Sequence, residues 1–147
     1  MVKSAEHHKK FFTRDERKQI TNAIREAELK TSGEICVHLE RARGGDVMER
    51  AKKAFHKLGM TRTKHRNGVL IYLSLQDHTF AILGDCGIHE RVGDSFWNQA
   101  ASQINEAFLR KDFVGGLVRG IYEIGESLSK HFPREAIDIN ELPDAIR

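Results

Sequence analysis

Residues Val69–Leu75 read Val-Leu-Ile-Tyr-Leu-Ser-Leu, apolar on both faces of an extended chain. Such a run suits a central strand covered on both sides, so the rest of the chain must supply two layers around it. Glu34–Glu40 alternates instead, with Ile35, Val37 and Leu39 on one face and Glu34, Cys36, His38 and Glu40 on the other. That is the period of a strand. Between the two, Asp46 is a plausible N-cap, and Val47, Ala51, Ala54, Phe55 and Leu58 recur at helical spacing until Gly59. Strand, helix and strand then form one right-handed parallel unit. Gln76-Asp77-His78 makes a short turn, and Thr79–Leu83 returns as the second arm of a hairpin.

The flanks read as helices. Thr13-Arg14-Asp15-Glu16 is a capping box that opens a helix over Arg14–Lys30, ended by Ser32-Gly33. Gly84-Asp85-Cys86-Gly87 breaks the hairpin and leads into an irregular stretch. Asp94 or Ser95 then caps a helix carrying Phe96, Ala100, Ile104, Ala107 and Phe108. A last helix starts near Asp112 and runs through Leu117, Ile121, Ile124 and Leu128 to Phe132-Pro133. Gly116 and Gly120 lie one turn apart within it, which predicts a close approach to a neighbour. The order α-β-α-β-β-α-α gives a small mixed sheet in a three-layer α/β/α sandwich. It is a single domain over 1–147, with its core at about 12–132 and a tail over 133–147.

Composition excludes several classes. With 147 residues, 39% hydrophobic, 31% charged and only 2 Pro, the chain is an ordinary globular domain rather than a disordered or fibrous one. Two cysteines without a CxxC pair exclude a disulfide framework and argue against zinc or redox work. The longest apolar run, Val69–Leu73, falls far short of the ~20 residues of a membrane span. The start, Met1 to His8, lacks a secretory apolar stretch, so the expected compartment is cytoplasmic. The 24 basic and 21 acidic residues leave a net charge of +3. Their signs are interspersed apart from Arg62, Lys64, His65 and Arg66, so nucleic acid ranks last among partners.

No Walker loop, GxGxxG, GxSxG, HExxH or EF-hand loop is present. Eight histidines include no ligand-spaced pair within a helix, and the Cys36–His38 pair on one strand face reads as structural. Carboxylates carry more, because a hard cation needs oxygens gathered from several loops. At the carboxyl end of the parallel strands, where open α/β sheets bind ligands, Glu40, Asp46 and Asp77 are the first candidate metal ligands. At the other edge Glu34, Asp85 and Asp94, near Asn67, are the alternative. Taken singly these residues also read as caps, turn residues and solvated strand ends. No convincing nucleophile or general base emerges; Arg41, Arg43 or His78 could hold a phosphate.

Several segments together resemble the TPM-domain family, whose members include a thylakoid acid phosphatase. Thr31-Ser32-Gly33-Glu34-Ile35-Cys36-Val37 is similar to the family's TGAEIxVV strand, and Asn67-Gly68-Val69-Leu70-Ile71 to its NGVLL. Gln76-Asp77 falls at the Asp of its DRK turn. Asp85-Cys86-Gly87-Ile88-His89 with Asp94 resembles its GxGLE segment and downstream Asp, and Phe113-Val114-Gly115-Gly116-Leu117 its late helix start. The chain departs from that pattern at His78, Asp85 and His89. The resemblance implies an α/β/α sandwich, Ca²⁺ or Mg²⁺ bound by acidic loop residues, and in some members phosphatase activity. The leading expectation is a divalent-cation-binding domain with a regulatory or protein-interaction role. A metal-assisted phosphatase and a metal-free interaction module, using the sheet edge or the tail Asp138–Asp144, are the alternatives.

Overall fold

The structure is a computed structural model and describes residues 12–41, 44–76 and 78–135. Helix α1 (Arg14–Glu28) opens with the expected capping box: the Glu16 amide donates to Thr13 Oγ1 and the Thr13 amide to Glu16 Oε1. Strand β1 (Glu34–Glu40) pairs in parallel with β2 (Gly68–Ser74), and β3 (Thr79–Gly84) pairs antiparallel with β2. The order β1-β2-β3 puts the doubly apolar strand at the centre, buried along its whole length. Helix α2 (Val47–Lys57) makes the crossover, capped by Asp46 and closed where Gly59 takes φ 71°.

Period-two alternation sorts the strands into two cores. Ile35, Val37, Leu39, Val69, Ile71, Leu73 and Ile82 pack against α1, α4 (Asn98–Arg110) and α5 (Phe113–His131). Cys36, Leu70, Tyr72 and Ala81 face Ala51, Ala54 and Phe55 of α2. A fully buried Leu or Ile contributes roughly 1.5–3 kcal/mol, so this sorting dominates the choice of layers. The α/β/α sandwich stands as expected.

Three local features differ from the sequence reading. The stretch after β3 is not irregular: it is a short helix, α3 (Cys86–Val92), capped by Asp85, and a 3-10 turn over Asp94–Trp97. Seven residues with one buried side chain, Ile88, are too few for periodicity to register. Phe96 therefore sits in the turn, and α4 starts at Asn98 without a side-chain cap. Glu34, read as a solvated strand end, is only 3% exposed. The glycines of α5 do permit close approach: a β-carbon on Gly120 would lie 3.0 Å from Ile104, and one on Gly125 2.6 Å from Ala27 Cβ.

Candidate functional site

The parallel register sets His38 opposite Tyr72 and Glu40 opposite Ser74, at the carboxyl end of β1 and β2. With two-residue alternation, all four belong to the α2 face of the sheet. The Tyr72 hydroxyl donates to Glu40 Oε2, and His38 Nε2 lies 4.0 Å from the same oxygen. The His38 and Tyr72 rings stack with centroids 5.7 Å apart. From α2, Arg50 Nη1 donates to Ser74 Oγ at 2.9 Å, while its guanidinium stands 5.9 Å from the centre of the Tyr72 ring. His38, Tyr72 and Ser74 are buried, but the Glu40 side chain is 42% exposed. The result is a carboxylate at the solvent edge, oriented by a phenol and an imidazole and backed by a guanidinium.

Burial, and then the hydrogen bond to Glu40, hold the Tyr72 phenol far above the usual phenol range. Tyr122 is also raised, chiefly by its bond to Glu26 Oε2 at 2.6 Å. These are the only two tyrosines of the chain. An unfolded tyrosine ionises near ~10, so the folded state keeps protons that the unfolded state loses. Stability conferred by these bonds is therefore complete below about pH 10 and declines above it. In a spectrophotometric alkaline titration, the native protein should show no phenolate step at the free-tyrosine position. Tyr122→Phe should leave one later step, from Tyr72. A normal step in Tyr122→Phe would mean that the Tyr72–Glu40 bond does not form.

Of the first candidate set, Glu40 and Asp46 fall within the described residues. The Leu75 amide donates to the Glu40 carbonyl at 2.8 Å, so the turn after β2 begins against the end of β1. Asp46, at the other end of the 41–45 loop, is exposed, and its Oδ1 accepts from the Met48 amide at 3.0 Å. Gly44 and Gly45 before it take φ of 88° and 68°, a reversal that suits glycine. Asp77 lies outside the described residues. Among the described residues, no group of three His, Cys, Asp or Glu side chains is placed to hold a metal.

The opposite edge is a structural junction. Asp85 is 6% exposed and accepts from Arg66 Nε at 2.7 Å, Arg66 Nη2 at 2.9 Å and the Cys86 amide at 2.7 Å. Both its oxygens are committed. Asn67 joins this edge to its surroundings, its amide donating to Thr63 Oγ1 and its Nδ2 to Ser32 Oγ. The Glu34 amide donates to the Asn67 carbonyl. Asp94 begins the 3-10 turn, and its side chain is outside the described atoms. Of the candidate phosphate-holding groups, Arg41 is exposed, Arg43 is outside the described residues, and His78 is exposed with its ring 6.0 Å from that of Phe113.

Arg50, Tyr72 and Ser74 escaped the sequence reading. The two-residue spacing of His38 and Glu40, and of Tyr72 and Ser74, was visible. Their convergence needed the register.

A central mixed sheet, one crossover helix on one face and a helical layer on the other define a three-layer α/β/α domain with a polar carboxyl edge. The family model of the TPM domain matches residues 6–127. The chain belongs to the TPM-domain family. Its structure is similar to the NMR structure of the BA42 protein from the psychrophilic bacterium Bizionia argentinensis. That protein is 48% identical, with 92% of this chain and 94% of that chain covered and a TM-score of 0.87. The N-terminal domain of the cg2496 protein from Corynebacterium glutamicum shares the fold at 16% identity, covering 90% and 84% of the two chains, with a TM-score of 0.66. No curated protein matches. No helix among the described residues is long and apolar enough to cross a membrane.

Proposed function

We propose that this TPM domain binds a divalent cation, Ca²⁺ or Mg²⁺, at its carboxyl edge and uses it to order the loops there for a regulatory or protein-interaction role. The observation that carries this reading is the Leu75–Glu40 backbone bond, which holds the chain two residues before Asp77 against the strand end that bears Glu40. Asp46 closes the loop leaving that same strand end. Carboxylates of Glu40, Asp46 and Asp77 would be the ligands, an all-oxygen set suited to a hard cation, with loop carbonyls and water completing the shell. Tyr72 and His38 keep Glu40 in one orientation, so less ordering is left for the cation to impose.

Titration of Ca²⁺ or Mg²⁺ into ¹⁵N-labelled protein tests this. Saturable amide shifts are expected over Arg41–Val47 and Gln76–Thr79. Asp46→Asn and Asp77→Asn should each weaken binding about tenfold or more, since each removes a charged ligand. Absence of localised shifts at millimolar cation would overturn the reading.

A metal-assisted phosphatase is the second reading, favoured by the His38 imidazole 4.0 Å from Glu40 at the edge where Arg41, Arg43 or His78 could hold a phosphate. A bound cation would polarise a phosphoryl oxygen, and one of those basic groups would orient the phosphate. Cation-dependent hydrolysis of a phosphomonoester, lost in Asp46→Asn, is its signature; no hydrolysis by the loaded protein removes it and leaves binding intact.

A further inference from the structure

The basic stretch at Arg62–Arg66 is the end of a longer run of one charge sign. From Arg50 to Gln76 there is no acidic residue, while seven Lys and Arg fall between Arg50 and Arg66. The remainder of the chain is consequently net acidic, by four charges. Two of the seven are turned to structural work, Arg50 toward Ser74 and Arg66 toward Asp85. The others make a surface. Lys52, Lys53, His56 and Lys57 are all exposed on the outer side of α2, opposite the buried Ala51, Ala54 and Phe55. Gly59 then turns the chain so that the Arg62 side chain lies back against it, with Nε 3.1 Å from where a glycine β-carbon would stand. Arg62 and Lys64 thus extend the basic face beyond the carboxyl end of α2. Lys52 pairs with Glu49 at 3.5 Å, but among the described residues no acidic side chain pairs with Lys53, Lys57 or Arg62.

What leads onto this face is the chain itself. Pro133 bridges Thr31, and Glu135 reaches the basic turn, contacting His65 Nε2 and placing Oε2 3.8 Å from Lys64 Nζ. The next twelve residues, 136–147, carry Asp138, Glu141 and Asp144 at three-residue intervals and a single basic residue, Arg147. Twelve residues span up to ~40 Å when extended, whereas the eleven residues of α2 are about 16 Å long. Length, starting point and sign of charge all match.

We infer that the basic face of α2 is a docking surface for an acidic peptide, and that residues 136–147 of this chain are its occupant. Tethering at Glu135 makes the association intramolecular, so individually weak exposed ion pairs suffice to hold it. None of Glu40, Asp46 and Asp77 belongs to this face, so it is tested independently of cation binding.

The test uses the full chain, comparing amide spectra of the wild type with Asp138→Asn/Glu141→Gln/Asp144→Asn. At about 0.01 M salt, where the screening length is about 30 Å, the triple change should shift amides of Lys52–Lys57 and Met60–Arg62. At about 1 M salt, with a length of about 3 Å, that difference should vanish. Lys53→Glu/Lys57→Glu should reciprocally shift amides of 138–144. Low-salt changes confined to the neighbours of the three substituted residues would overturn the inference. A short single-stranded DNA oligomer serves as a competing anion. It should bind the triple variant roughly tenfold more tightly than the wild type, because the covering segment is released. Equal affinity would mean an open face for an external partner, and would overturn occupancy by the tail.

Discussion

Gly116→Ala is expected to destabilise the fold by about 2 kcal/mol, although alanine is the better helix former by about 1 kcal/mol. The α4–α5 hairpin brings Gly116 so close to Ala107 that an added β-carbon would overlap that residue's own, with the Gln103 carbonyl oxygen 3.2 Å away. Neither obstacle is the end of a flexible side chain. Ala107 Cβ moves only with its backbone, so the two helices must separate and loosen the core that Ile104 and Leu117 share with the sheet. For a chain of this size the change should lower Tm by roughly 6 °C. Ala107→Gly in the same molecule should restore most of the loss, since it removes the colliding atom. Gly120→Ala should cost less, because it meets the end of the Ile104 side chain. A midpoint in Gly116→Ala at or above that of the wild type would show that the helices do not approach this closely.

Asp85→Ala should cost about 2–3 kcal/mol, at least as much as Gly116→Ala. Three bonds end on this one buried carboxylate: two from the Arg66 guanidinium and one from the Cys86 amide that starts α3. Losing an N-cap costs about 1 kcal/mol, and losing charge-assisted bonds to a buried acceptor adds about 1.5–3 kcal/mol before discounting for the solvent around Arg66. Asp85→Asn retains an acceptor for the Cys86 amide but not the paired acceptance from Arg66, so it should lose about half as much. Urea denaturation measures both. The same variants separate the two acidic edges: Asp85→Asn should leave cation affinity unchanged, whereas Asp46→Asn should not. Loss of cation binding on Asp85→Asn, with stability intact, would move the metal to the opposite edge.

These two residues show how unevenly structure was legible along the chain. The glycines of α5 announced a close approach, because glycine in a helix interior is unfavourable unless something needs the space. Which neighbour needs it was not legible: Gly116 and Gly120 face α4, whereas Gly125 faces Ala27 of α1. Asp85 looked like a metal-ligand candidate beside Glu34 and Asp94. Its engagement by Arg66, nineteen positions earlier, depends on β2 and β3 pairing antiparallel so that Gly84 meets Val69. Short α3 was missed for a similar reason, since its one fully buried side chain, Ile88, packs in a core built by other elements.

What the sequence by itself determined is the layering. A strand apolar on both faces, an alternating strand beside it, and amphipathic helices with caps leave few arrangements other than a mixed sheet between helical layers, because hydrophobic period and capping are local properties. What only the tertiary structure decided is which polar groups meet. The His38, Glu40, Tyr72, Ser74 and Arg50 cluster exists because β1 and β2 align residue for residue and α2 crosses above them. The basic face exists because α2 turns its lysines outward and the chain doubles back at Gly59. Register and crossover are set by backbone pairing and packing between distant segments, and a one-residue slip of a strand would send its side chains in that cluster to the other face.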